Sequence, residues 1–493
     1  MKPRQLQTGD PLSHPTAVSF RDPAGRVIVL DQRVFRIINN EYRPGALEFL
    51  QSKLCSELVD SGRLIATYEV EDSRITDQLD QFVTSQSGPV MVLEHEHVAF
   101  PSYPYEWPPE MLKAAGELTL DLMDRLLPEG FGLKDASPYN VLYQASRPVF
   151  VDFLSIEKRA PLDPTWLAYA QFVRTFIRPL LANKHFGLGL DQTFRIYRDG
   201  LQPEHVFRMA SALQKVRPVF LTSVSIPTIL SRMDPARYKS IYVPKQSNSA
   251  EQAQFILKRQ VGGLRRKLES SKPTRVRESI WLDYESRESE REEYLPSKEK
   301  FVRNAVREVG AQRVLDVGCN LGFFSILAAK EGASVVAIDQ DAVVVGRLWE
   351  KANRDNLNIL PLVIDLTRPT SGLGWRNLET RGFLERAIGA FDCVLMLAVI
   401  HHMLVTERIP LSEILKLAWE LTTNQLVIEW VAADDPLFHL ITRGNDHLYE
   451  YLTREFFEAV SLKYFQIERV EQMGNQQRWL YQMRRRDQVV QAG

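Results

Sequence analysis

The chain has 493 residues, 44% of them hydrophobic and 25% charged, an ordinary water-soluble composition with length for about two or three domains. Its 61 basic and 62 acidic side chains nearly cancel, which excludes a bulk attraction to nucleic acid. Three cysteines (Cys55, Cys319, Cys393) are too few for a disulfide framework or zinc cluster, and no apolar leader or long uncharged apolar run appears, so the expectation is a cytoplasmic protein without a membrane span.

Val18–Phe20, Val27–Leu30 and Val34–Ile38 read as a small antiparallel sheet, with a turn at Asp22–Gly25. Apolar residues at helical spacing predict one helix over Gly45–Ser61, then a strand pair at Leu64–Val70 and Val90–Leu93. Phe100–Pro109, rich in proline and aromatics, reads as a structured loop whose rings pack beneath it, and Glu110–Leu127 as a helix.

A first constellation follows. Asp135 and Asn140 lie on one loop, and Asp152 ends an apolar strand one hairpin later. This Asp-x4-Asn pattern with its following acid resembles the protein-kinase and aminoglycoside-phosphotransferase superfamily. The resemblance implies Asp135 as base and Asn140 and Asp152 as metal ligands. Leu133-Lys134 stands where the family has His, no glycine-rich phosphate loop precedes, and the strand that should carry the phosphate-gripping lysine has only Arg36. The implied domain is therefore degenerate, binding an acceptor or regulating.

Residues 163–240 read as helical, with Trp166–Ala182 apolar on most of its surface. From about Lys245 to Glu293 charge dominates; Lys258–Arg277 holds eight basic residues against Glu269 alone. A solvated helical linker is expected there rather than a polyanion patch. Lys298–Val309 reads as a helix placing Tyr284 and Tyr294 near the entrance of the next domain.

That domain begins at Arg313–Lys330: a buried strand, a glycine turn at Gly318–Gly322, then an apolar helix. Ala333–Asp339 and Val363–Leu366 repeat a strand ending in an acid, and Phe391–Val399 and Leu426–Trp430 add two more strands. The alternation predicts a doubly wound α/β sheet. Asp-Val-Gly-Cys-Asn-Leu-Gly (316–322), Ala-Ile-Asp (337–339), Ile-Asp-Leu (364–366) and Phe-Asp-Cys-Val (391–394) closely resemble the class I S-adenosylmethionine-dependent methyltransferases. The resemblance implies that Asp316, Gly318, Cys319, Asn320 and Gly322 wrap the methionine part of S-adenosylmethionine. It puts Asp339 on the ribose and Asp365 with Leu366 at the adenine. Asn320 replaces the commonest glycine and tolerates a left-handed backbone.

Methyl transfer from a sulfonium needs no metal. A hydroxyl acceptor benefits from a base, for which His401 and His402, just past the fourth strand, are the candidates, with Glu429 and the pair Asp434–Asp435 after the fifth. Glu450–Val460, with Thr453 as a possible cap, reads as an amphipathic helix; Phe465–Val470 and Arg478–Met483 read as a closing strand pair turning at Gly474-Asn475. The expected organisation is an α+β kinase-like region (1–160), a helical extension (161–244), a charged linker (245–295) and a Rossmann-like methyltransferase domain (296–493). The expected activity is methylation of an O or N atom of a small-molecule or glycan acceptor. The alternatives are a bifunctional kinase-methyltransferase and a cofactor-binding scaffold without chemistry.

Overall fold

The computed structural model describes residues 16–17, 22–79, 91–232, 246–273, 288–474 and 477–489. The expected strand at Val18–Phe20, Val90, Arg275, Arg277, Tyr284 and Asn475 lie outside them. In the first half, β1 (Thr16–Ala17), β2 (Gly25–Leu30), β3 (Arg33–Ile38), β4 (Thr67–Glu69) and β5 (Met91–His95) form an antiparallel sheet in the order β1-β2-β3-β5-β4. Asp31 and Gln32 join β2 to β3 with φ of 50° and 62°, the left-handed pair that a two-residue hairpin turn requires.

The single helix expected after this hairpin is two, Arg43–Leu50 and Lys53–Asp60. Ser52 breaks it: its backbone is extended and its hydroxyl accepts the Cys55 amide at 3.1 Å, so the second helix starts on its own cap. The helix Pro109–Leu126 is buried on most of its surface and forms the centre of this half. Around it lie β6 (Phe131–Leu133) paired with β9 (Ile156–Lys158), and the hairpin β7 (Val141–Gln144) and β8 (Arg147–Phe150).

The charged tract corrects the linker expectation. It is helical over Ala250–Ser270, but Leu257, Val261, Leu264 and Leu268 form a buried stripe packed on the Pro109–Leu126 helix. The cations lie on its other faces, where Arg265 reaches Asp124 at 2.6 Å.

In the second half, β10 (Arg313–Val317), β11 (Ser334–Asp339), β12 (Ile359–Val363), β13 (Phe391–Met396), β14 (Thr422–Val431), β15 (Phe465–Gln472) and β16 (Arg478–Arg485) form one sheet. Their order is β12-β11-β10-β13-β14-β16-β15, with the first five parallel and β16 antiparallel to both neighbours. The central strands carry Val, Leu and Ile facing helices on both sides. Chain direction across the sheet reverses between β11 and β13 about β10, so the crevice for a ligand lies beyond the carboxyl ends of these strands. The strand expected at Val363–Leu366 lies at Ile359–Val363, and β13 stops at Met396, short of its expected end; residues 364–366 and 397–399 are therefore loops lining that edge, and the chain turns helical at Ile400.

One hydrophobic core runs through both halves. The loop Phe100–Pro109 is where they meet: Phe100 packs on Phe383 and Phe391 at 5.9 and 5.8 Å, and the Tyr105 hydroxyl donates to Thr380 at 3.0 Å. Glu106 and Arg386 pair there with almost no solvent contact. Trp349 donates across to the Ser146 carbonyl at 2.9 Å. The rings of this loop thus pack, as expected, but against a distant part of the chain.

Candidate active site

The turn after β10 is held open by its own backbone. Gly318, Asn320 and Gly322 have φ of 70°, 49° and 78°, so Asn320 takes the left-handed conformation its side chain tolerates. A Cβ on Gly318 would lie 3.1 Å from the Val399 side chain, and one on Gly322 2.3 Å from Leu348. The two glycines are thus required by close packing and by φ, before any ligand is considered. The amides of Gly318 and Cys319 both donate to the Ile338 carbonyl, at 2.9 and 3.0 Å. Burial pushes the Cys319 thiol well above its usual range, which leaves it an inert packing group.

Asp316 is buried and accepts the Ser325 hydroxyl at 2.5 Å, bracing the strand against the helix Phe323–Lys330. Burial raises its pKa to about 6, opposed by that hydrogen bond. Asp339 closes the turn from the next strand: it accepts the Asn320 amide at 3.0 Å on one oxygen and the Asp341 amide at 2.9 Å on the other. Burial raises its pKa, the backbone bonds opposing. Asp365, in the loop after β12, accepts from the Thr367 amide and hydroxyl at 2.9 and 2.5 Å and from Arg368 at 3.0 Å. Burial alone would raise its pKa, but these bonds overbalance it and hold the carboxyl low. Leu366 beside it is buried.

These residues fit S-adenosylmethionine on an observation of their own. Asn320 presents a buried side-chain oxygen without a partner, and its backbone amide is held by Asp339, whose carboxylate keeps acceptor capacity beyond its backbone bonds from Asn320, Asp341 and Gln340. A ligand bearing an amino group and neighbouring hydroxyls supplies the donors such acceptors lack.

On the other side of β10, Ala398 has a φ of 54°, a strained conformation for a residue with a Cβ, and a π-helical turn follows at His402–Thr406. The His401 and His402 rings lie 4.3 Å apart at a 40° tilt. His401 is buried and its Nδ1 has no partner. Burial holds both imidazoles below their ordinary pKa, His401 far below, with His402, Arg478 and Lys298 adding to the shift at His401.

Glu429 is engaged rather than free. Lys298, from the helix Glu288–Glu308, donates to it at 2.5 Å, and Arg478 of β16 lies 3.8 Å from its other oxygen. Arg478 in turn grips Asp435 at 2.8 and 3.2 Å, so four buried charges balance at the end of β14, while Asp434 is exposed. Sequence reading missed Lys298 and Arg478 as members; a cation on a charged helix, or one opening a strand, carries no local signal.

In the first half, Arg36 pairs with Asp152, whose charge is felt by Asp135. Arg36 on β3, the lone cation of that strand past its first residue, places its guanidinium 3.1 Å from Asp152. Its Nε donates to His95 Nε2 at 3.2 Å, which leaves His95 Nδ1–H to donate to the Thr67 hydroxyl at 2.9 Å. Burial raises the Asp135 pKa, with Lys134 opposing and Asp152 adding. The Asn140 amide nitrogen is buried without a partner.

Comparison with known proteins agrees with the second half. Residues 315–418 match a family model described as a methyltransferase domain. The chain is 28% identical over 473 residues to the nodulation protein NoeA of Rhizobium meliloti (strain 1021), covering 94% of each. Among solved structures it resembles the N-methyltransferase NodS of Bradyrhizobium japonicum WM9 in complex with S-adenosyl-L-homocysteine, at 13% identity over 38% of this chain and 86% of that one, TM-score 0.28. It also resembles the bifunctional kinase-methyltransferase WbdD, at 18% identity over 38% of each chain, TM-score 0.27. At these scores the two structures add nothing to the fold seen directly. The C-terminal part of the chain, built on β10–β16, is a class I methyltransferase domain whose cofactor is S-adenosylmethionine.

Proposed function

We propose that this methyltransferase methylates an O or N atom of a small-molecule or glycan acceptor at the carboxyl edge of β13. The unpartnered Nδ1 of His401 carries the reading: a buried acceptor atom at that edge calls for a donor, and an O–H or N–H supplies it. Bound S-adenosylmethionine supplies an electrophilic methyl group on a sulfonium. The protein's tasks are to align the nucleophile and to accept its proton. His401 and His402, neutral at pH 7, are assigned to orienting the acceptor and taking that proton. Glu429 is assigned to holding Lys298 and Arg478 in place, because one carboxylate oxygen is engaged by the Lys298 ammonium and the other faces Arg478. Asn320, Asp339 and Asp365 are assigned to the cofactor, and Asp316 to bracing the turn.

The first half, through Ser270, is proposed to be a kinase-like unit that holds the acceptor or regulates transfer, with the methyltransferase unit from about residue 296 onward. Likeness to NoeA across 94% of both chains supports treating the halves as one working unit. A second reading, that this half also transfers phosphate, is favoured by the gathering of Arg36, Asp135 and Asp152. The test is incubation with methyl-labelled cofactor and cell-extract fractions, beside magnesium-dependent ATP turnover. Label in an alkali-stable ether or N-methyl product that is lost in His401→Ala supports the first reading. ATP turnover lost in Asp152→Ala supports the second. Cofactor binding without transfer to any fraction would leave only a scaffold.

A further inference from the structure

Single apolar side chains in solvent need no explanation, but a concentration of them does. Met209, Leu213, Val216, Ile226, Ile229 and Leu230 are exposed by 40%, 79%, 66%, 42%, 55% and 42%. They lie on or just past three short helices, Pro203–Met209, Ala212–Lys215 and Ile226–Ser231, which the turn Leu221–Ser225 packs together. The Ser225 hydroxyl donates to the Lys215 carbonyl at 2.8 Å, and the Ser231 hydroxyl to Glu204, so the three helices are tied into one body. Val206 and Thr228 of these helices, with Phe220 and Val224 of the segment Pro218–Ser225 between them, are already buried. The outward apolar residues are therefore surplus to the core.

The charge around them is one-sided. Residues 203–232 hold Arg208, Lys215, Arg217 and Arg232 against Glu204 alone, in a chain whose net charge is −1. Two of the cations are fixed beside the patch: Lys215 and Arg232 lie over the Phe207 ring at 4.1 and 5.7 Å. No helix among the described residues is long and apolar enough to cross a membrane.

We propose that this patch seats the protein reversibly on an anionic lipid surface. Its apolar side chains enter the boundary between headgroups and acyl chains, and its cations meet lipid phosphates. A second copy of the chain is a poorer occupant, because a two-fold contact through this patch sets the same cations against each other.

The test is flotation of the full-length protein with vesicles of phosphatidylglycerol and phosphatidylcholine in equal parts. The wild type is expected to float with these vesicles, to detach at high salt, and to float poorly with phosphatidylcholine alone. Leu213→Glu/Ile229→Glu and, separately, Arg208→Glu/Arg217→Glu are each expected to weaken partitioning about tenfold or more. Both should keep wild-type affinity for S-adenosylmethionine, which reports an intact fold. A wild type that stays with the pellet, or variants that float as it does, would overturn the proposal. So would a dimer in light scattering that Leu213→Glu dissociates without any flotation.

Discussion

Glu106→Ala would leave Arg386 enclosed by Phe100, Tyr103 and Phe383, at 5.0, 5.1 and 5.8 Å, without its carboxylate. The Glu106 side chain is 0% and that of Arg386 4% exposed, so water cannot replace the lost partner. The carboxylate also accepts the Thr370 hydroxyl at 2.7 Å and the Tyr103 amide at 3.1 Å, joining the first half to the segment that follows Asp365. Removing one partner of a buried pair costs roughly 3–5 kcal/mol. That is a large part of the ~5–15 kcal/mol that holds a typical domain folded. Glu106→Gln, which keeps an acceptor for Tyr103 or Thr370, should cost roughly 1.5–3 kcal/mol. Glu48→Ala is the control: its pair with Lys158 has side chains 48% and 61% exposed and should matter by less than about 0.5 kcal/mol. Urea unfolding followed by tryptophan fluorescence and by circular dichroism measures all three. Glu106→Ala should lower the midpoint and pull the two probes apart as the halves uncouple. An effect no larger than that of Glu48→Ala would refute the buried seam.

Three further outcomes are expected. Burial, with Arg36 beside it, holds His95 neutral down to about 3, while an unfolded imidazole takes a proton near ~6.5. Between those values the unfolded chain binds more protons, so stability falls as pH drops, and His95→Gln should flatten that acid limb in urea midpoints measured against pH. Asp316 acts oppositely: with its pKa raised to about 6, its contribution is present below the ordinary 3.8 and lost as pH rises through 6, so Asp316→Asn should remove a decline across that window. Glu429→Leu alone should destabilise by roughly 3–5 kcal/mol, because it strands Lys298 and weakens the hold on Arg478, whereas Lys298→Met/Glu429→Leu should recover much of the loss. Methyl transfer surviving in the double variant would confirm that Glu429 is not the base.

What sequence could and could not disclose follows from the range of each interaction. Strands β10, β11 and β13 announce themselves because apolar residues dominate where both faces are covered, interrupted inside the strands only by Asp316 and Asp392, and the turn 318–322 because its left-handed positions are Gly318, Asn320 and Gly322. Ser52 sits in an apolar run at helical spacing, and only the backbone shows that it caps rather than continues the helix. In the tract 250–270 the count of cations hid a stripe at spacings of three and four, Leu257, Val261, Leu264 and Leu268. The role of Phe100–Pro109 as a seam depends on Thr380 and Arg386, more than 270 positions away by the 275 and 280 residues separating the pairs. Lys298 and Glu429 stand 131 apart, and no local pattern joins them. Arg36 was visible as the strand's unusual cation; that it lies against Asp152 was not.

The most direct measurement is calorimetric titration of S-adenosylmethionine into the wild type, Asp339→Ala and His401→Ala. If the turn and the acid ending β11 hold the cofactor while the edge past β13 serves the acceptor, Asp339→Ala should weaken binding about tenfold or more, a loss of one or two buried hydrogen bonds, and His401→Ala should bind as the wild type does. Equal affinity in Asp339→Ala, or a loss confined to His401→Ala, would contradict that division of the site.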